Sequence, residues 1–529
     1  MFKKYERTLM WSKLMGKSTL LMLTFIMFYL GGIPVIFAQP NEWVMSLGGA
    51  SNDEGWIIIQ TFNEEFIVVG ETWSFGAGEG DIWVIKINPA GDIQWQKTYG
   101  TGRIESPMDA DLTLDQGIVI AGLTTLPGRT DFDLFILKLK AQGELEWYKI
   151  YGGTDNDWAM CIEQTSDGGY IVGGATHSFG AAFRDFWVLK LDTSGEIMWE
   201  KRYGGSGVER RVENIHQTVD GGYILAGTSD SFSGGSVWVL KLKSDGNIDW
   251  QYVYGPPGGD VEDIQVTRDG GYIVLAETGQ PQDAWILKLK ADGDIEWQKK
   301  YGGPGDEDVQ PIRQTVDGGY VIAGSTTSFG VGDEDLWILK VDINGNIEWQ
   351  RTYGGTASDE AYSLMQAFDF GYMIVGETES FGSGMKDVFL LKLDSLGRIR
   401  ECPYLGFSEA ISADIEAQRT ATAGFAYDTN ADKNALSISV MDTDAKPNIV
   451  CPTILFSPSA LFIVLLIIII VSIVPIGGSI EYLKIRRFKP LKTKIIEPRY
   501  LCKVCGNLLI YDLKFKEWYC NFCGKRYKI

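Results

Sequence analysis

The sequence is a succession of short apolar runs, each about as long as one β-strand. Between residues 320 and 353 the run YVIAG is followed by LWILKV and then by IEWQRTY, and polar or glycine-rich stretches separate the three. Runs of this length that are rich in apolar, β-branched and aromatic residues are typical of strands that are largely buried. None of the repeated units contains an apolar run of helical length. The pattern therefore predicts an all-β fold.

The same set of runs recurs seven times. A tryptophan marks the last run of each copy, at Trp43, Trp95, Trp147, Trp199, Trp250, Trp297 and Trp349. A unit of about 50 residues with four strands is typical of one propeller blade, because a single sheet can cover its apolar faces only against neighbouring blades. One unit has too few strands for a separate two-sheet sandwich. We therefore predict a seven-bladed β-propeller of four-stranded repeats, each about 52 residues long.

Turn residues indicate how the strands of a unit are connected. Asp-Gly-Gly, as at 167–169 and 317–319, and Asn344-Gly345 are typical of tight hairpins, because Gly and Asn accept positive φ at low cost. The other two connections are longer and glycine-rich, and they carry the sequences YGG and SFG. Alternate connections of an up-and-down sheet lie at the same edge. Both hairpins are therefore expected on one face of the ring and both long loops on the other.

The two ends of the repeat array indicate how the ring closes. A tryptophan-containing strand at 42–48 precedes the first full unit, and a degenerate strand at 397–402 follows the last. One of the two has to complete the last blade. We favour 42–48, because it keeps the tryptophan whereas 397–402 has Glu401 in that position.

Hydropathy and charge divide the rest of the chain. Basic residues and a short apolar core at the N-terminus are typical of a secretory signal, and an uncleaved anchor is the alternative. The apolar stretch 460–478 is long enough to span a bilayer, and the basic residues that follow it favour a cytoplasmic C-terminus. The predicted segments are a signal peptide at 1–38, the propeller ectodomain at 39–402, a spacer at 403–453, a transmembrane helix at 454–480, a basic juxtamembrane segment at 481–499 and a zinc ribbon at 500–529.

The net charge excludes one class of partner. The formal net charge is −21, although the N-terminal 38 residues and the last 49 are both basic. The propeller is therefore strongly acidic, which does not suit nucleic acid or other polyanions. An extracellular glycan, protein or cation remains open as the ligand.

The cysteines predict one metal site. The C-terminal segment contains two CxxCG pairs, Cys502 with Cys505 and Cys520 with Cys523, at a spacing typical of tetrahedral structural zinc. Disulfides are the alternative, but a cytoplasmic tail is kept reduced. Four thiolates leave no open position on the metal, so catalysis by this zinc is not expected.

Two further cysteines bracket the spacer. Cys402 and Cys451 are each followed by proline, in a compartment where disulfides persist. A disulfide between them and a pair of free thiols are both compatible with the sequence, because the sequence does not give their geometry.

Several residues recur in the units and have two readings. Trp73, Phe179, Phe329 and Phe381 lie in the predicted long loops and are candidate ligand-binding residues, or they fill gaps between blades. An aspartate begins the third strand of six units, at Asp81, Asp133, Asp185, Asp283, Asp335 and Asp387, with Ser236 in the odd copy. These could bind a cation or a sugar, but capping of a turn is favoured. A lysine in every third strand, as at Lys241, is expected to pack its stem and expose its ammonium group.

The order of these motifs resembles a known architecture. Repeats with WxxxYGG, DGGY, SFG and DxWxLK over 42–402, then a spacer, one membrane span and a tail with two cysteine pairs, resemble archaeal membrane-anchored surface proteins built of propeller repeats. The tail resembles a zinc ribbon. Propeller motifs specify a fold better than a function.

The sequence contains little that points to catalysis. It has only two histidines and neither a nucleophile elbow nor a zincin motif. We therefore predict a membrane-anchored binding or adhesion protein rather than an enzyme. Two alternatives remain: an extracellular glycan-active or quinoprotein-type propeller enzyme, and a transmembrane sensor that signals to a cytosolic partner through the zinc ribbon.

Overall fold

The computed structural model describes residues 42–179, 184–205, 207–231, 236–255, 259–382 and 385–399, and the backbone of ten short strands between residues 405 and 527. The predicted signal peptide, membrane span and basic juxtamembrane segment lie outside these residues. Within the described part, no helix is long and apolar enough to cross a membrane.

Twenty-eight strands form a ring of seven blades. The strand that precedes the first blade is β1 (Trp43–Leu47). The first three blades contain β2 (Asp53–Gln60), β3 (Phe66–Thr72), β4 (Asp81–Ile87), β5 (Ile93–Gly100); β6 (Glu105–Leu112), β7 (Ile118–Thr125), β8 (Phe132–Leu139), β9 (Leu145–Gly152); and β10 (Asp157–Gln164), β11 (Tyr170–Thr176), β12 (Asp185–Leu191), β13 (Ile197–Gly204). The next three contain β14 (Glu209–Gln217), β15 (Tyr223–Ser229), β16 (Ser236–Leu242), β17 (Ile248–Gly255); β18 (Asp260–Val266), β19 (Tyr272–Thr278), β20 (Asp283–Leu289), β21 (Ile295–Gly302); and β22 (Glu307–Gln314), β23 (Tyr320–Thr326), β24 (Asp335–Val341), β25 (Ile347–Tyr353). The seventh contains β26 (Asp359–Gln366), β27 (Tyr372–Thr378) and β28 (Asp387–Leu393).

Each blade is an antiparallel sheet, and in the first six blades the four strands follow one another in sequence order, from the innermost strand to the tryptophan-containing one. The hairpins lie where turn chemistry predicts them, and Gly168 and Gly345 have positive φ angles of 84° and 73°. The prediction of a seven-bladed propeller of four-stranded blades is therefore confirmed.

The N-terminal strand closes the ring. β1 pairs antiparallel with β28 along its whole length, from Trp43 opposite Lys392 to Leu47 opposite Val388. The seventh blade thus receives its fourth strand from the other end of the array, which confirms the preference for 42–48. Apolar packing supports the closure, because Met45 of this blade belongs to one buried cluster with Trp83 of the first blade.

The recurring lysines differ from the sequence-based expectation. Their side chains are almost fully buried, and each ammonium group forms an ion pair of 2.7–3.2 Å with a carboxylate of the adjacent hairpin. The pairs are Lys86–Glu65, Lys138–Asp115, Lys190–Asp167, Lys241–Asp220, Lys288–Asp269, Lys340–Asp317 and Lys392–Asp369. The prediction of solvated lysine heads is wrong, because a carboxylate of the hairpin between the first two strands of the blade lies against the ammonium group in every blade.

The segment predicted as a spacer contributes a fifth strand to every blade. Its strands are β29 (Leu405–Gly406), β30 (Ile411–Asp414), β31 (Gln418–Ala421), β32 (Phe425–Asp428), β33 (Asp432–Asn434), β34 (Ser439–Asp442) and β35 (Asn448–Cys451). They pair antiparallel with the outer strands β25, β21, β17, β13, β9, β5 and β1, in that order. We call residues 405–451 the belt, since they follow the circumference of the ring once, against the order of the blades.

The C-terminal tail contains a separate three-stranded antiparallel sheet. Its strands are β36 (Leu509–Asp512), β37 (Glu517–Cys520) and β38 (Arg526–Tyr527). Cys520 is the last residue of β37, opposite Leu509 of β36. The other predicted zinc ligands, Cys502, Cys505 and Cys523, lie outside the described residues, as does Cys402 of the predicted disulfide.

Candidate functional site

The innermost strands line the axis of the ring, and alternate side chains of a strand point to opposite faces. Each innermost strand begins at the long-loop face, because it follows the YGG connection. Its second residue therefore lies at the mouth of the central channel on that face. Around the ring these residues are Glu54, Ser106, Trp158, Arg210, Asp308 and Glu360. In the fifth blade the first residue of β18, Asp260, takes the equivalent place, because it lies opposite Glu277 as Glu54 lies opposite Glu71. The mouth is thus built from residues that differ from blade to blade.

One acidic cluster lies where the seventh and first blades meet. Glu360 accepts a hydrogen bond of 2.9 Å from the Tyr362 hydroxyl, and Glu377 forms an ion pair with Lys386. Burial, together with the nearby charge of Glu377, raises the pKa of Glu360 to about 7. Burial also raises the pKa of Glu54, although the charge of Lys386 opposes it. The cluster therefore gains or loses charge near neutral pH.

A second acidic cluster spans the fourth, fifth and sixth blades. Burial and the charge of Asp308 raise the pKa of Glu277 to about 8. Burial raises the pKa of Glu262 well above its ordinary value, and the charges of Glu213 and Glu277 add to the shift. Two basic residues of the fourth blade lie close to this cluster, because Arg211 is 2.7 Å from Glu213 and Arg210 forms an ion pair with Asp260. Since like charges disfavour ionisation in this cluster, a cationic group brought to the mouth would lower the pKa of these carboxyls and pair with their ionised form.

Aromatic side chains lie beside these charges. Trp56 and Tyr362 stack with ring centroids 4.5 Å apart and an interplanar angle of 14°. On the third blade, the guanidinium of Arg184 lies 5.2 Å from the ring of Trp158, which also meets His177 edge to face. The channel mouth therefore combines flat apolar surface with charge, which suits recognition of an amphipathic or cationic group.

The four residues predicted to bind ligand lie on the long-loop face but in two environments. Trp73 is 46% exposed, and its indole N–H donates a 2.7 Å hydrogen bond to Glu71. The phenylalanines are half-buried and pack on an aromatic residue in the third strand of their own blade, Phe179 on Trp187, Phe329 on Trp337 and Phe381 on Phe389. Trp73 thus offers a contact surface, whereas the phenylalanines mainly support the blades.

The third-strand aspartates cap loops, as the favoured reading predicts. The Oδ2 atom of Asp81 accepts a 2.7 Å hydrogen bond from the Ala77 amide. The same atom of Asp335 accepts hydrogen bonds from the amides of Val331 and Gly332 at 2.7 and 3.0 Å. Among the residues that the structure describes, no group of three or more His, Cys, Asp or Glu side chains is arranged to hold a metal ion.

Sequence reasoning missed the residues of the channel mouth. The repeats make similar positions conspicuous, whereas Glu54, Trp158 and Arg210 occupy one position with three different side chains. The sequence does contain one signal for these residues, which is the variation between blades at the position near the start of each innermost strand.

Comparison with known proteins adds little. Neither protein-family models nor curated proteins match the chain. Among solved structures, Sqt1 of Chaetomium thermophilum bound to the N-terminus of ribosomal protein L10 is similar at 12% identity with a TM-score of 0.39, over 66% of this chain and 98% of that chain. Sqt1 without that partner is similar at 10% identity with a TM-score of 0.37, over 66% and 97%. The propeller assignment rests on the strand pairing of the chain itself.

Proposed function

We propose that this protein is a membrane-anchored propeller that binds an extracellular ligand or partner at its long-loop face, and that it is not an enzyme. The observation that carries the proposal is the channel mouth. There, charged and aromatic side chains that serve no repeated structural role lie together on one face, while the repeated polar residues are used in turns and hairpins.

The chemistry of the mouth favours ligands with a cationic part. A positive charge would lower the raised pKa values of the carboxyls in the two acidic clusters and pair with their ionised form, and the Trp56–Tyr362 stack offers a flat surface beside one of them. A basic protein segment and an amino-containing glycan both have this chemistry. Nucleic acid does not.

A binding screen of the full chain in lipid nanodiscs tests the proposal. Glycan and peptide arrays should yield ligands whose binding weakens at least tenfold in Trp73→Ala. The hairpin variant Val219→Ala serves as the control, because Val219 is almost fully exposed on the opposite face and should leave binding unchanged. Loss of binding in both variants, or a ligand that prefers the hairpin face, would count against the proposal.

The membrane arrangement is part of the same proposal. We place the propeller outside, one span at 454–480 and the C-terminus in the cytoplasm, on the basis of the apolar stretch and the basic residues that follow it. Protease added to intact cells should digest the propeller while an epitope at the C-terminus stays protected. Digestion of the epitope under these conditions would reverse the arrangement.

The tail is proposed to hold one structural zinc ion through Cys502, Cys505, Cys520 and Cys523. The three-stranded sheet, whose strand β37 ends at Cys520, supports such a site. Elemental analysis of the full chain should find one zinc, and Cys520→Ser should lose it while the propeller melts as before. A native tail without metal, or with a disulfide between Cys502 and Cys505, would refute the assignment.

A disulfide between Cys402 and Cys451 is also proposed. The belt starts on the sixth blade, where Leu405 pairs with Tyr353, and ends on the neighbouring seventh blade, where Cys451 pairs with Val44. A covalent bond at this point would fix the belt around the ring. Non-reducing peptide mapping should find the linked peptides, and two alkylated thiols would be the contrary result.

A further inference from the structure

Exposed apolar side chains gather at the hairpin face of the ring. Among the described residues twelve large apolar side chains are exposed, and eight of them lie in hairpins. These eight are 43–99% exposed, and they are Phe62, Leu114, Val219, Val316, Ile343, Phe368, Phe370 and Leu396. Single exposed apolar residues are ordinary, whereas a group of them on one face marks an interaction surface.

The group is concentrated on one side of the ring. All except Val219 lie in the sixth, seventh, first and second blades, which are neighbours because β1 closes the ring on the seventh blade. In the third and fifth blades Ser166 and Arg268 occupy the hairpin position that Phe62 and Phe368 have in theirs. We call the seven residues of these four neighbouring blades the apolar patch.

The hairpin tips of the apolar patch are held by the neighbouring blade. The amide of Phe368 donates a hydrogen bond of 2.9 Å to the side-chain oxygen of Gln60 in the first blade. The amide of Val316 donates one of 2.8 Å to Gln366 in the seventh blade. Each tip is thus fixed through its backbone while its side chain stays exposed. The apolar patch is therefore an ordered surface of the ring.

Phe370 occupies a backbone position that favours glycine. Its φ angle is 67°, and the equivalent residues Gly168 and Gly318 have φ angles of 84° and 92°. A bulky side chain is unfavourable in this left-handed region. The ring of Phe370 is 55% exposed, so packing within the propeller offsets little of that cost. Its side chain therefore indicates a contact outside the propeller.

The end of the belt indicates what lies against the apolar patch. β1 begins beside the hairpin face, because the indole of Trp43 donates a hydrogen bond of 3.1 Å to the carbonyl of Pro89 in the outer hairpin of the first blade. β35 runs antiparallel to β1, and its last residue, Cys451, lies opposite Val44. The chain thus leaves the belt at the hairpin face of the seventh blade, on the side of the ring that carries the apolar patch.

The distance from this point to the proposed membrane span is short. The span begins at residue 454, and three fully extended residues reach at most about 11 Å. Even the continuous apolar stretch that begins at residue 460 starts within about 32 Å of Cys451. A span at this place therefore holds the hairpin side of the seventh blade near the bilayer.

We propose that the apolar patch lies on the lipid bilayer, so that the propeller rests on the membrane through its sixth, seventh, first and second blades. The channel mouth, on the other face of the ring, then points away from the membrane. This inference rests on the proposed span at 454–480 and is independent of the ligand that the channel mouth binds.

The charges of these hairpins favour an apolar contact over an electrostatic one. Their carboxylates are paired with buried lysines, as Asp317 is with Lys340 at 3.2 Å and Asp369 with Lys392 at 2.7 Å. In the described hairpins of the four blades, the only basic residues are Lys140 and Arg398. A polybasic surface would bind anionic lipids, and this surface has none of that character. The contact should therefore form on zwitterionic lipid and resist salt.

Photolabelling of the full chain in phosphatidylcholine nanodiscs tests the proposal. The nanodiscs contain a small fraction of phosphatidylcholine with a diazirine in its acyl chain. Peptides that contain 61–65 and 367–371 should be labelled about fivefold more than peptides that contain 73–80, because only the former enter the bilayer. The ratio should stay the same when the salt concentration is raised to about 1 M. Labelling of 454–480 in the same sample shows whether the span is inserted.

Two variants and a matched control sharpen the test. The triple variant Phe62→Ser, Phe368→Ser and Phe370→Ser should lose most of the hairpin labelling while 454–480 is labelled as before. Phe370→Gly supplies the residue that this φ angle favours, so it should keep or raise the Tm of the propeller and still lower the labelling of 367–371. Val219→Ser removes an equally exposed hairpin residue on the far side of the ring, in the fourth blade, and should change neither quantity.

The outcomes separate this inference from the proposed membrane anchor. A labelled span with hairpins labelled no more than 73–80 would overturn the contact and leave the anchor standing. An unlabelled span would overturn both. Equal hairpin labelling in wild type and the triple variant would show that the apolar patch does not make the contact. Hairpins that cross-link to a second copy of the chain and not to lipid would assign the patch to a dimer instead.

Discussion

At the scale of single residues, repeated charges stabilise the blades and unrepeated ones mark the candidate binding site. Lys241 shows the first case. Its ammonium group lies 2.9 Å from Asp220 and also donates to the Leu242 carbonyl, so a buried cation is fully paired. Glu360 shows the second, because no other blade has a glutamate at this position except the first.

Replacing Asp220 with asparagine should destabilise the propeller. The buried Lys241 ammonium would lose its charged partner, at a cost of about 1–3 kcal/mol in the free energy of unfolding. Asp245→Asn removes the same charge from an exposed hairpin in the same blade, and a change within about 0.5 kcal/mol is expected. Urea denaturation compares the two. Equal losses would mean that the Lys241 pair contributes nothing specific.

The same pair predicts a loss of stability in acid. Partial burial raises the pKa of Asp220, but hydrogen bonds from Thr218 and Lys241 outweigh it and lower the pKa to about 2. A lowered carboxyl pKa contributes stability above the unfolded value of about 3.9, and this is lost as pH falls toward 2. The Asp220→Asn variant should therefore show a shallower loss over this window. If both proteins lose stability equally steeply as the pH falls toward 2, the Lys241–Asp220 pair is not the source of this pH dependence.

The raised pKa of Glu360 predicts the opposite pH dependence of stability, near neutral pH. Burial and the charge of Glu377 raise its pKa to about 7, so the folded state holds a proton that the unfolded state has released. This contribution is present below the unfolded pKa and is lost as pH rises through about 7. Glu360→Gln, which keeps an acceptor for the Tyr362 hydroxyl, should flatten the fall in Tm between pH 5 and 8. If the Tm of Glu360→Gln falls with pH as steeply as that of the wild type, a group other than Glu360 causes the pH dependence.

At the scale of elements, the sequence predicts the blades well and the belt poorly. Asp-Gly-Gly turns and the tryptophan runs identify every blade, and the tryptophan retained in β1 identifies the closing strand. The belt strands are only two to four residues long and have no such pattern. Their position follows from a need outside their own sequence, since each outer strand otherwise presents an unpaired edge.

The closing strand β1 and the belt should therefore contribute unequally to the stability of the propeller. Replacing residues 43–47 with a Gly-Ser segment of equal length removes a whole strand from the seventh blade and should lower the Tm by more than 10 °C, consistent with a loss of several kcal/mol. The same replacement at 418–421 leaves the fourth blade its own four strands and should lower the Tm much less. Differential scanning calorimetry of the two variants compares these losses in Tm. Equal losses would contradict the closure of the ring by β1.

At the scale of the whole molecule, the ring is an acidic scaffold with two different faces. The hairpin face repeats the same turn in nearly every blade, with its aspartates paired to buried lysines. The long-loop face carries the channel mouth and Trp73. The sequence predicts which loops share this face, because alternate connections fall on one edge. It does not predict which side chains meet at the mouth, since Glu54 and Glu360 come from blades at opposite ends of the chain.

Hydrogen–deuterium exchange of the full chain, with and without a ligand from the arrays, tests the central claim most directly. If the long-loop face binds the ligand, amides of 73–80 and 327–334 and of the first residues of the innermost strands should exchange more slowly in the complex. The hairpins at 220–222 and 317–319 should be unaffected. Protection confined to the hairpins or to the belt would contradict the account.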